Sequence, residues 1–63
     1  MDYIKAINKE YGTQLIGISE KYGNKAIPKD AVKIIVKDFG NGLGRVLYVD
    51  RLNRLVANNM ELL

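Results

Sequence analysis

Thr13 and Ser19 carry the only hydroxyls besides those of the tyrosines, and the 63-residue chain contains neither histidine nor cysteine that could activate them. The same absence removes thiol nucleophiles, imidazole bases, disulfides and zinc sites of the usual Cys/His kind. The seven carboxylates are scattered and stand mostly beside lysines, a poor basis for a paired acid–base site. Nothing resembles the clustered oxygens of an EF-hand loop. The expectation is a protein that binds rather than catalyses, with no metal and no cofactor.

What it binds is indicated first by charge. Ten Lys and Arg oppose seven Asp and Glu, a net charge of +3. A positive domain of this size is drawn toward polyanions, of which nucleic acid is the common one. Gly40-x-Gly42-x-Gly44 invites comparison with phosphate-binding glycine loops. Those loops join a strand to a helix whose N-terminus faces the phosphates. Here the loop is expected to join two strands and carries no P-loop lysine, so it reads as a hairpin tip. With Lys37 and Arg45 beside it, such a tip could lie against a phosphate backbone as a wing.

These residues have to be positioned by few elements. At this length there is one domain, residues 1–63, with a single core and modest stability, so that dimerisation is a ready way to bury more surface. A hydrophobic fraction of 48% with one proline argues for a folded chain rather than a disordered one. No apolar run approaches the ~18 residues of a membrane span, and no signal-peptide core stands at the N-terminus. A cytoplasmic location is the expectation.

Ile4, Ile7, Tyr11, Leu15, Ile18 and Tyr22 are spaced by threes and fours, the stripe of an amphipathic helix, with Asp2 suited to cap its start. Ile4-x-x-Ile7-x-x-x-Tyr11-Gly12 returns eleven residues later as Leu15-x-x-Ile18-x-x-x-Tyr22-Gly23. One continuous helix would show this stripe, since eleven residues make three turns. Two short helices, each ended by its glycine and the second capped by Thr13, fit equally well. Pro28 biases Ile27 toward extended backbone. Beyond it, the β-branched run Val32 to Val36 and the segment Arg45–Val49 flank Asn41-Gly42, which reads as a β-hairpin over about residues 31–49. A helix from Pro28 is the competing assignment, because Val32, Ile35, Val36 and Phe39 also share a helical face. Asp50 as N-cap and the stripe Leu52, Leu55, Val56, Met60 predict a C-terminal helix. Leu62 and Leu63 are left exposed, as for a docked tail or an interface.

The resulting α+β order, a helix or helix pair, a hairpin and a closing helix, resembles the small winged helix-turn-helix domains of the excisionase and MerR type. The resemblance rests on Ile7-x-x-x-Tyr11-Gly12, on Ile18, and on Gly44-Arg-Val-Leu-Tyr-Val-Asp-Arg-Leu-x-x-Leu55, and spans about residues 3–58. The chain departs from the family at Asn8, where a small residue is expected, and at Gly17, inside the second helix. The resemblance implies a DNA-binding regulatory or architectural protein, of the kind mobile elements carry, acting on double-stranded DNA. Thr13 and Gln14 would then open the groove-reading helix, with Gln14 facing adenine edges. Lys21 and Lys25 would contact phosphates, and Lys37, Asn41 and Arg45 would do so from the wing. The alternative is a small protein-binding modulator or inhibitor with no nucleic-acid role, using Leu62, Leu63 and Ile16 toward a partner or a second copy. Basic side chains gathered on one face favour DNA, whereas basic side chains spread around an apolar patch favour a protein.

Overall fold

The computed structural model describes residues 2–23 and 26–63. One short helix, α1 (Tyr3–Tyr11), precedes four strands: β1 (Gly17–Ile18), β2 (Val32–Asp38), β3 (Leu43–Val49) and β4 (Arg54–Leu62). They form one mixed sheet in the order β1-β4-β3-β2, with β1 parallel to β4 and the other pairs antiparallel. The fold is therefore mostly β, which replaces the winged-helix-like α+β arrangement expected from the sequence. Among the described residues no helix is long and apolar enough to cross a membrane.

The first helix starts at the expected cap and ends at Gly12, the earlier of the two ends that the sequence left open. The Asp2 carboxylate accepts from the main-chain N–H groups of Ile4 and Lys5, satisfying donors that the first turn leaves free. At the other end Gly12 adopts φ 70°, ψ 23°, and its N–H bonds the Asn8 carbonyl at 2.9 Å. Left-handed backbone at a helix end favours glycine, which has no Cβ to clash.

The chain beyond Gly12 does not form a second helix. The Asn8 side chain meets the returning backbone edge-on: its Nδ2 donates to the Leu15 carbonyl at 2.9 Å and its Oδ1 accepts the Leu15 N–H at 2.8 Å. The Thr13 hydroxyl donates to the same Oδ1 at 2.8 Å. An amide pairing with both main-chain groups of Leu15 imitates a strand neighbour, and residues 13–16 are neither helix nor strand. The chain then pairs with β4, Ile16 donating to Asn53 and Ser19 to Leu55. Thr13 and Gln14 thus lie in the connection from α1 to β1, and the helix they were expected to open is not formed.

The hairpin is present, with β2 and β3 in register from Val32↔Val49 to Asp38↔Gly44 and a bulge at Val36. The rival helix from Pro28 is not formed. The expected C-terminal helix is instead β4, and the cause is local. The Asp50 carboxylate accepts from the main-chain N–H of Leu52 and of Arg54, both at 2.9 Å, and Asn53 turns the chain with φ 62°. The N-cap signature therefore closes a tight turn between β3 and β4. Beyond it β4 sits between β1 and β3, where Leu55, Val56 and Ala57 are all buried. Sheet pairing on both sides overrides a helical periodicity that adjacent Asn58 and Asn59 already weaken.

The core lies between α1 and one face of the sheet. Ile4, Ile7 and Leu15 pack with Leu47, Val49 and Leu55, bordered by Tyr11, Ile34 and Val36. On the opposite face Val46 is fully buried between its register partners Ile35 and Asn59. The Leu63 side chain folds over Gly44, whose main chain also lies against the Lys37 carbonyl at the bulge. A Cβ at Gly44 would stand 2.6 Å from Leu63 Cδ1 and 2.7 Å from the Lys37 oxygen, closer than packing allows.

Two substitutions probe these contacts. Asn8→Ala removes three hydrogen bonds in a half-buried setting and is expected to lower stability by about 2–3 kcal/mol in urea denaturation. Asn8→Asp, which keeps the acceptor and loses the donor, should fall between it and the parent. Gly44→Ala is expected to cost about 1–3 kcal/mol through overpacking, with the methyl resonances of Leu63 displaced in the NMR spectrum.

Candidate interaction surface

The residues expected to read DNA do not come together. Thr13 is tied to Asn8, and the Gln14 carbonyl accepts from the Asn53 side chain beside the β3–β4 turn. Lys21 stands near the same end of the sheet, at the rim of a shallow depression. Lys25 lies outside the described residues. Asn41 sits at the hairpin tip, where its side chain accepts the Leu43 N–H. Lys37 and Arg45 are near that tip, but Arg45 is half-buried and donates to the Asn58 side chain at 3.3 Å. The seven residues of β3 separate the two groups, about 20 Å at strand rise.

The remaining cations are dispersed. Lys5 and Lys9 are exposed on α1, and Lys33 pairs with Glu61 across the sheet face opposite the helix at 3.1 Å. Arg51 pairs with Asp30 at 3.5 Å and Arg54 with Asp50 at 2.9 Å. The depression, about 230 Å³, is bordered by both of these ion pairs and by Ser19, Lys21, Pro28 and Val56, so its acidic and basic groups offset each other. The Ser19 hydroxyl is buried there and accepts the Lys21 N–H.

A different feature stands out on the helix side of the sheet. A nine-residue helix is about 13 Å long, whereas the nine residues of β4 extend about 30 Å. The helix spans the half of the face around Leu47, Val49 and Leu55, and its first residue, Tyr3, accepts a hydrogen bond from Asn58. Beyond Asn58 the same face continues toward the hairpin, and no helix among the described residues lies over it. Strand register places Arg45 beside Met60 and Leu43 beside Leu62, and Phe39 bonds Leu43 across the hairpin. Paired residues present their side chains on one face. Phe39, Leu43, Met60 and Leu62 therefore make one apolar shelf, with Leu62 78% and Met60 53% exposed. The Lys37 ammonium lies 5.4 Å from the Phe39 ring centre, a cation–π contact at the border of the shelf, and Arg45 forms part of its floor.

Leu62 is the member of this surface that sequence reasoning already marks as exposed. Phe39 and Met60 escape it, because helical periodicity assigns Met60 to a buried stripe and Phe39 to a hairpin flank. Reading the last residues with period two would have found Met60, since Asn58, Met60 and Leu62 alternate onto one face. Ile16, also expected to be free for a partner, is 73% exposed but lies at the opposite end of the sheet, beside Asn53.

The other face carries a polar cluster that fixes the register of β2, β3 and β4. Glu61 accepts from the Tyr48 hydroxyl at 2.7 Å, from Lys33 and from Asn59. The Tyr48 hydrogen bond, then that of Lys33, holds the Glu61 carboxyl below its ordinary range, and the same Tyr48 bond pushes that hydroxyl up. At the β3–β4 turn desolvation works against the Asp50 charge, but hydrogen bonds from Arg54 and Leu52 outweigh it and lower that carboxyl too.

Compared with known proteins, the chain matches no family model, no curated protein and no solved structure.

The two lowered carboxyls set an acid limit. A group whose pKa is lower in the folded than in the unfolded state stabilises the fold at pH above its unfolded value, and that contribution disappears as pH falls through the folded one. The urea midpoint is thus expected to decline from about pH 4.5 downward. Glu61→Gln and Asp50→Asn should each be less stable at neutral pH and lose less on acidification. Equal acid dependence in all three chains would contradict the hydrogen-bond assignment.

Proposed function

We propose that this protein is a binding module for another protein, and that the apolar shelf beyond the end of α1 is its contact surface. The observation that carries the reading is the mismatch between a short helix and a longer sheet. It leaves Phe39, Met60 and Leu62 exposed around the half-buried Leu43 at the hairpin end of the sheet. Contiguous apolar side chains with a polar border are the mark of a protein contact surface. The arrangement of charge supports it as well. Among the described residues three cations are engaged in ion pairs, and the others are divided among the helix, the helix-side face of the hairpin and the turns. The groove-reading helix of the duplex-binding alternative is not formed, and of its expected contacts only Lys37, Asn41 and Arg45 stand together, at the hairpin end.

Site-specific photocrosslinking in the cells that make the protein provides the test. A crosslinker at position 62 is expected to give a discrete protein adduct that Phe39→Asp abolishes, whereas one at position 16, similarly exposed, gives none. Alternatively, salt-dependent binding to duplex DNA that persists in Phe39→Asp, together with indiscriminate adducts at both positions, would overturn the reading.

A further inference from the structure

We infer that the shelf takes an acidic amphipathic helix of the partner, laid on the sheet in line with α1. The inference rests on the protein-binding reading above and adds the partner's shape and charge.

Shape comes from the half of the face that is already covered. There α1 presents Ile4 and Ile7, one turn apart, to Leu47, Val49 and Leu55. The uncovered half continues the same strands and offers side chains of the same kind. From Phe39 through Leu43 to Leu62 it crosses three strands, about 10 Å, which is the width of one helix. A partner helix with apolar residues at i, i+3, i+4 and i+7 would cover it as α1 covers the rest. Pairing to the free edge of β2 is less suited to this sheet. That edge carries Lys33 and Lys37 and is broken by the bulge at Val36, devices that oppose edge-to-edge addition.

Charge comes from the border. Lys37 and Arg45 belong to the shelf, whereas the carboxylate of Glu61 lies on the other face, bound to Lys33 and Tyr48. Lys37 makes no ion pair among the described residues, and its ammonium rests on the Phe39 ring. A helix flanked by carboxylates supplies the missing counter-charges. A second copy of this chain would bring another Lys37 and Arg45 to the same surface, and like charges at an interface disfavour it. Single-stranded nucleic acid would meet one ring and three aliphatic side chains, where stacking platforms require several aromatic rings.

The test uses the full chain, isotopically labelled, and three helix-stapled peptides of about 15 residues. All three share one leucine stripe, and their flanks are Glu, Gln or Lys. The Glu peptide is expected to shift the resonances of Phe39, Leu43, Met60 and Leu62. It should bind roughly five- to tenfold tighter than the Gln peptide, with the Lys peptide weakest. Lys37→Glu, an exposed change that leaves Arg45 opposite a new carboxylate, should abolish the preference for the Glu peptide over the Lys peptide and leave the fold intact. Equal binding of all three peptides at these residues overturns the acidic preference while leaving a protein-docking shelf in place. Shifts at the shelf produced by oligo(dT), or by raising the chain's own concentration, with none from any peptide, overturn both readings.

Discussion

The path of the chain out of α1 turns on a single side chain. Asn8 sits one turn before the end of α1 and engages both main-chain groups of Leu15 together with the Thr13 hydroxyl. With Gly12 in left-handed backbone, this amide redirects the chain out of the helix and lays it against the sheet as a non-helical segment. Pairing of that segment with β4 covers the start of β4 at Arg54 and Leu55, the second of which is fully buried. The Asn8 amide thus sets the path of residues 13–16, while the Asp50 turn and the long pairing with β3 set β4, and the two meet where β1 pairs with β4.

This coupling explains which elements were legible in the sequence. The cap at Asp2, the break at Gly12 and the hairpin around Asn41-Gly42 each depend on neighbouring residues alone, and each is present. The segments 13–22 and 54–62 both carry convincing helical stripes, and neither is helical. The first depends on the contact between Asn8 and Leu15, and the second on the Asp50 turn and the pairing of β4 with β3, none of which periodicity can report. The resemblance to winged helix-turn-helix domains departed at Asn8, and that is where the architecture diverges. The departing residue was a sign that the backbone turns differently, since a polar side chain replaces a small one at a helix contact.

The candidate surface was less legible than the fold, for a related reason. Side chains on a strand face alternate, so a helical reading distributes Met60 and Leu62 to different environments, while the sheet places them side by side. Phe39 and Leu43 join them only through the β2–β3 and β3–β4 registers. Lys37 and Arg45, singled out as contacts to a phosphate backbone, are indeed adjacent to this surface. Their surroundings are apolar, one resting on Phe39 and the other held by Asn58.

The sheet also separates structural polarity from available polarity. Glu61, Lys33, Tyr48 and Asn59 satisfy one another on the face away from α1, where they lock three strands in register. Asp50 and Arg54 do the same for the β3–β4 turn. These groups are committed to holding the fold, and their charges are offset in place. On the helix side of the hairpin end, by contrast, Lys37 and Arg45 form no ion pair among the described residues, and Phe39, Met60 and Leu62 are exposed. A chain this small has little apolar surface to spare from its own core. Phe39, Met60 and Leu62 nevertheless stay exposed together at the hairpin end, a cost to solubility that contact with another molecule would remove.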